Sequence, residues 1–381
     1  MSGGGRDGRG GRLAGCYSCG VAGLLKCSIL KFALCAGLMA ACAAGGGCTR
    51  VTTPGQPIAQ RAVIGSPGME PGRFAKPRCI AADAQTIWVV DRAAKVQRFD
   101  PESGLCLQWF TMPESELGKP TGITVGPSPA GDGAMCLYLA DTHYNRVVVY
   151  AIPELPRGWR PGSNINAPVK VNPVEVLRFG SYGMGPGQMV YPTGVAVLTA
   201  ADGKTVERLY VTEYGGNDRV QVFDAKGQPL FSFGVFGDGQ KPETVEFNRP
   251  QSIAILRSND AAKVPTGLLV TDSCNHRLGL FDLDGKLERW LGSPLTGDSA
   301  AGNFYHPRGI TILPDGTVLI VEFGNNRVQR VNLATGECLG LWGKGGRGDG
   351  ELAEPWGLAR LGLSVYIVDA MNHRVVVADI P

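Results

Sequence analysis

The sequence predicts an all-β fold, a six-bladed β-propeller with four antiparallel strands per blade. Three observations predict it. One sequence unit recurs six times, which is the signature of a repeat architecture. No stretch of the body carries a sustained helical period. Gly (55) and Pro (26) are abundant in a chain of 381 residues that is 44% hydrophobic, a composition suited to many short strands joined by tight turns.

Each unit opens with a Pro and a short apolar strand, continues into a strand ending in an acid, and resumes with a basic residue opening a third strand. The first reads Pro77-Arg78-Cys79-Ile80, Ile87-Trp88-Val89-Val90-Asp91 and Lys95-Val96-Gln97-Arg98-Phe99. The second reads Pro120-Thr121-Gly122-Ile123, Leu137-Tyr138-Leu139-Ala140-Asp141 and Asn145-Arg146-Val147-Val148. In the third stand Pro192-Thr193-Gly194-Val195, Leu209-Tyr210-Val211-Thr212-Glu213 and Asp218-Arg219-Val220-Gln221. The fourth has Pro250-Gln251-Ser252-Ile253, Leu268-Leu269-Val270-Thr271-Asp272 and Asn275-His276-Arg277-Leu278. The fifth has Pro307-Arg308-Gly309-Ile310, Val318-Leu319-Ile320-Val321-Glu322 and Asn325-Asn326-Arg327-Val328. The last has Pro355-Trp356-Gly357-Leu358, Val365-Tyr366-Ile367-Val368-Asp369 and Asn372-His373-Arg374-Val375. A fourth segment ends before a Gly, as in Leu230-Phe231-Ser232-Phe233-Gly234. Asp284-Gly285 and Asp315-Gly316 mark tight hairpins between segments. Runs rich in Val, Leu, Ile and Tyr of this length describe the strands of a blade.

The ends predict how the ring closes. The sixth unit stops just after its third strand, at Pro381. Ahead of the first unit, Arg61-Ala62-Val63-Ile64-Gly65-Ser66 resembles the outer segment Arg289-Trp290-Leu291-Gly292-Ser293. Residues 60–65 are therefore expected to complete the last blade, which removes an open sheet edge.

The Asn-His-Arg and Asn-Asn-Arg turns, with the leading Pro and the preceding acid, resemble the NHL repeat, and the similarity runs from Arg61 to Ile380. The resemblance implies a six-bladed propeller. Some propellers of this type are peptidyl-α-hydroxyglycine lyases that hold zinc through channel histidines following the blade-opening Pro. Here those positions carry no His. The four histidines are His143, His276 and His373 in the turn after the acid and His306 before a Pro, and turn polarity is the role expected of them. Lactonase-type propellers use carboxylate and amide ligands, so a structural or channel calcium or zinc ion stays open, although no cofactor is expected and no residue is assigned as a metal ligand. No Gly-x-Ser-x-Gly elbow or phosphate loop is present.

The acid–base pairs Asp91/Lys95, Asp141/Arg146, Glu213/Arg219, Asp272/Arg277, Glu322/Arg327 and Asp369/Arg374 recur once per blade. A catalytic site converges on one point, so these pairs read as structural and no catalytic residue is assigned. The residue after each Pro is expected to face the central channel. That ring reads Arg78, Thr121, Thr193, Gln251, Arg308 and Trp356, a set suited to an anionic or polar ligand at one mouth. Longer insertions interrupt units two to four at Gly126–Ala134, Pro153–Pro173, Thr199–Arg208 and Arg257–Thr266. The second holds Arg157, Trp159 and Arg160, the candidate partner-binding residues.

Charge and cysteine divide near residue 48. Of 37 basic and 34 acidic residues, five and one lie in residues 1–48, leaving 32 and 33 in the body. A body near neutrality lacks the basic excess of a nucleic-acid binder, and no nucleic-acid partner is expected. Six of the eleven cysteines also precede residue 49. Lys26 and Lys31 flank an uncharged apolar run from Phe32 to Ala41, the pattern of a secretory signal and short for a membrane span. Leu38-Met39-Ala40-Ala41-Cys42 resembles a bacterial lipoprotein signal, in which Cys42 would be lipidated, with Cys48 as the alternative. The expected organisation is a signal and anchor segment at 1–48, a flexible tether at 49–59 and the propeller at 60–381. Together these features predict an exported, membrane-anchored monomer of the cell envelope that binds a protein, peptide or glycan. A metal-dependent lyase or lactonase working in the channel is the alternative, and a binding role is preferred to an enzymatic one.

Overall fold

The computed structural model describes residues 59–379, apart from 165, 166, 242, 259 and 294–296. The expected lipidation sites Cys42 and Cys48 and the signal segment lie outside the described residues. Six small antiparallel sheets stand in a ring, each four strands deep. The innermost strands are Pro77–Ala82, Gly122–Pro127, Pro192–Thr199, Pro250–Arg257, Pro307–Ile312 and Pro355–Leu361. Each packs against the inner strands of the two neighbouring blades, and the last packs against the first.

The second strand of every blade is apolar through its middle because both of its faces are buried there. In Ile87–Asp91, Ile87 and Val89 join the core shared with blade six, while Trp88 and Val90 join the core shared with blade two. Side chains alternate across a strand, so a strand held between two sheets needs apolar residues at both parities. Six such inter-blade cores form among the described residues, anchored by fully buried rings such as Phe74, Tyr138, Phe223 and Phe281. Cys79, Cys106, Cys136 and Cys338 fill core space as free thiols, and burial raises all four above the ordinary thiol value, Cys106 to about 12.

Closure follows the expectation. Gln60–Ile64 pairs antiparallel with Arg374–Asp379, placing Val63 opposite Val376 and Ile64 opposite Val375. Ile64 is buried in the core between blades six and one. Arg61 adds an ion pair to Asp379 at 2.9 Å and a hydrogen bond to Ser364 Oγ at 2.8 Å. The insertions depart from the sequence reading. The inner strands of blades three and four run eight residues, to Thr199 and Arg257, and their partners begin at Val206 and Pro265. These two insertions are mainly lengthened hairpins rather than loops.

Candidate functional site

The buried acids form one node per blade. Each of the six is at most 1% exposed. Arg146, Arg219, Arg277, Arg327 and Arg374 donate Nε–H to Asp141, Glu213, Asp272, Glu322 and Asp369 at 2.5–2.8 Å. Lys95 stands 3.8 Å from Asp91. In five blades the same carboxylate accepts a backbone N–H from the segment that leads into its blade: from Ala75, Val190, Asn248, Tyr305 and Ala353. The base donates to carbonyls of that segment, as Arg327 does to Ser299, Ala300 and Asn303. Gln97, Gln221 and Gln329, two residues after the base, extend the clasp by accepting N–H groups of Gly72, Gly187 and Gly302. The glutamines escaped the sequence reading, although the recurring basic-Val-Gln triplet marks them. Burial raises the acids above the ordinary carboxylate range, Asp141 and Asp272 to about 6. These pairs hold loops on blades, and none of them lines the central channel cavity.

A second set of contacts joins neighbouring blades. The residues before the six leading prolines, Lys76, Lys119, Tyr191, Arg249, His306 and Glu354, all have φ between 48° and 68°. Left-handed backbone is uncommon outside Gly, so each must be held there. The turn residue of the preceding blade accepts the N–H in five of six cases. His373 Nδ1 takes Lys76, Asn145 takes Tyr191, Asp218 takes Arg249, His276 Nδ1 takes His306, and Asn326 takes Glu354, at 2.6–3.3 Å. In the remaining case the turn residue is Ala94, and the Arg92 carbonyl accepts from Lys119 instead. The Asn/His turn position is therefore a side-chain acceptor for the next blade. His276 and His306 meet edge to face with ring centroids 4.7 Å apart, and burial together with His276 lowers His306 to about 4.

All six residues expected at the channel line one central cavity of about 320 Å³, within the ~300–1,000 Å³ range of small-molecule sites. Gly122, Gly194, Gly309 and Gly357 let the inner strands close around it. A methyl group at Gly122 would sit 2.1 Å from the Thr193 carbonyl oxygen, and one at Gly309 would sit 2.6 Å from Gly357 Cα. Past the mouth the wall is mixed: half-buried Val197, Ala254 and Ile255 line it beside Thr124 and Ser252, while Ile80, Ile123, Val195, Ile253, Ile310 and Leu358 border it from the inter-blade cores.

Charge along the channel is one-sided. The lining includes Arg78, Arg257 and Arg308 and no Asp, Glu or His. Arg308 lies 3.7 Å over the Trp356 ring and 4.2 Å over Phe323, and donates from Nη1 to Gln251 Oε1 at 3.2 Å. Its buried Nε has no hydrogen-bond partner. Burial, with the like charges of Arg78 and Arg249, lowers Arg308 to about 9. Arg78 reaches the same Trp356 ring at 4.6 Å, and burial together with the charge of Arg92 lowers it as well. Arg249 covers Tyr214 at 4.7 Å. Thr121 and Thr193 spend their hydroxyls on the protein, on Thr142 Oγ1 and on the Pro250 carbonyl.

The candidate partner loop sits elsewhere. Pro153 and Glu154 carbonyls accept from Arg98 and Gln108, Gly162 N–H donates to Asp100, and Val169–Lys170 adds a fifth, parallel strand outside Cys106–Thr111. The insertion thus covers the outer edge of blade one. Arg157 and Arg160 are exposed on it, while Trp159 is half-buried and its Nε1 lacks a partner. Among the described residues no group of three His, Cys, Asp or Glu side chains is arranged to hold a metal ion.

Six four-stranded sheets in a ring make the fold a six-bladed β-propeller. Residues 304–331, spanning the clasp of blade five, match the NHL repeat. Over 146 residues the chain is 27% identical to Protein brain tumor of Drosophila melanogaster, a match covering 38% of this chain and 12% of that much longer protein. Among solved structures it resembles a streptogramin B lyase, at TM-score 0.47 and 15% identity, over 84% of this chain and 86% of that one. It also resembles a protein of unknown function from Bacteroides thetaiotaomicron, at TM-score 0.50 and 15% identity, over 86% and 75%. At that identity this second likeness is one of fold alone.

Proposed function

We propose that this protein is an envelope-anchored binding propeller that takes an anionic group of a peptide, protein or glycan at the Arg78–Arg308 mouth of its channel. One observation carries the reading. Every buried blade arginine has a carboxylate, whereas Arg308 is held against two aromatic faces with a buried, unpartnered Nε and no acid in the cavity wall. A desolvated cation without a counter-charge is costly, and an incoming anion removes that cost. The lyase or lactonase alternative needs carboxylate, amide or histidine ligands in the channel, and the cavity wall offers Gln251 alone of these. Residues 1–48 would supply export and attachment, through Cys42 or else Cys48.

The test is a panel of acidic and neutral peptides and glycans presented to the full chain and to its Arg78→Gln/Arg308→Gln variant. Retained ligands should be anionic and the variant should lose them by tenfold or more; equal retention by both proteins rejects the mouth as the site. Fractionation of a Cys42→Ser variant checks the anchor in the same preparations. Release from the membrane pool is expected, and unchanged retention would reject Cys42 as the attachment point.

A further inference from the structure

We infer that the group recognised at this mouth is the free C-terminal carboxylate of a peptide ending in an apolar residue; this rests on the anion-binding reading above and deepens it. Three features of the cavity, each asking for a different part of such a ligand, lie along the inner strands that line it.

The first is the cationic fork. Trp356 and Phe323 fix the Arg308 guanidinium by contact with its face, and the Gln251 contact occupies one of its nitrogens. Its edge keeps an Nε donor with no partner, and Arg78 approaches the same indole from the adjoining blade. A planar fork of this kind matches a planar carboxylate, which can accept two parallel N–H bonds. The second feature is the side-chain amide beside the fork. Gln251 Oε1 is used by Arg308, which leaves its Nε2 without a partner among the described residues. That donor suits the amide carbonyl one bond sequence back from a terminal carboxylate. The third is the wall. Past the mouth Val197, Ala254 and Ile255 line the same cavity, half-buried and uncharged, beside the hydroxyls of Thr124 and Ser252. An aliphatic side chain entering here would gain about 25 cal/mol for each Å² it buries against the three apolar residues. Carboxylate, amide and aliphatic side chain together are the end of a peptide.

The experiment is isothermal titration of the full chain in detergent with N-acetyl-Ala-Leu, its C-terminal amide, N-acetyl-Ala-Gly, octanoate and inorganic phosphate. The expected result is that the leucine acid binds at least tenfold more tightly than its amide and than the glycine acid. Arg308→Gln should lower that affinity at least tenfold, and Arg78→Gln, a second variant should the first fail to fold, should lower it several-fold. Amide binding equal to acid binding overturns the carboxylate, and phosphate as tight as the leucine acid overturns the apolar pocket. Octanoate tighter than the leucine acid assigns the site to lipid-like anions and overturns the peptide. If the acidic panel still depends on the two arginines while these peptides fail, the mouth binds anions but not peptide ends. If the panel shows no such dependence, both readings fall together.

Discussion

A buried guanidinium in this protein meets one of two surroundings. Arg277 and Arg327 are at most 3% exposed and end on carboxylates at 2.8 and 2.5 Å, with remaining donors on loop carbonyls. Arg308 ends on aromatic faces and a cavity. The first kind is structural, and its removal leaves an uncompensated carboxylate in the interior. Arg327→Met should therefore cost about 3–5 kcal/mol in urea unfolding, the range for breaking one side of a buried pair. A loss below ~1 kcal/mol would show that Glu322 does not depend on its partner. Both kinds of arginine were visible as residue types in the sequence. Which of them has an acid beside it was readable only for the repeating pairs, because their spacing is local; the isolation of Arg308 depends on what six distant strands bring, and fail to bring, to the axis.

The inner strands are set by how closely they can approach. Glycine in the third position of blades two, three, five and six puts backbone against backbone, while Cys79 and Ser252 take that place in blades one and four. Gly309→Ala sets a methyl group 2.6 Å from Gly357 Cα, with no flexible side chain available to yield. Overpacking of this sort typically costs 1–3 kcal/mol, so the variant should lose about that much in denaturant and the channel cavity should change shape. Ser252→Ala, which adds no atom, is the control; equal stability for the two variants would mean the strands are not in close contact. Strand positions were legible because their apolar runs recur in register. The insertion 153–173 was not. Two of its residues, Val169 and Lys170, form an edge strand, and a two-residue strand in a Pro-containing loop has no period to read. Its docking on blade one makes it an edge cover, and leaves Arg157, Arg160 and Lys170 as its exposed basic groups.

At the scale of the molecule, stability rests on six similar interfaces and one closing strand. Each core lies between blades, so no blade buries its own apolar faces alone. The pairing of Gln60–Ile64 with Arg374–Asp379 joins residues about 315 positions apart and seals the ring. Deleting residues 58–66 exposes the Arg374–Asp379 edge and opens the core around Ile64 and Phe74. A fall in Tm of ~10 °C or more is expected, on a scale of roughly 2–4 °C per kcal/mol for domains of 150–250 residues. Melting unchanged by the deletion would place closure elsewhere.

By itself the sequence determined the number of blades, the order of their strands, the clasping acid–base pairs, the closing strand and the residues that face the axis. All of these follow from periodicity and from contacts between near neighbours in the chain, which a repeat writes out six times. Only the tertiary structure decided that the Asn and His turn residues hold the left-handed backbone of the next blade, which apolar and hydroxyl side chains lie past the channel arginines, and that among the residues lining the cavity no carboxylate stands beside them. Those properties arise where residues from every blade converge, and the distance and orientation of such groups are set by the packing of the ring rather than by any local stretch of sequence.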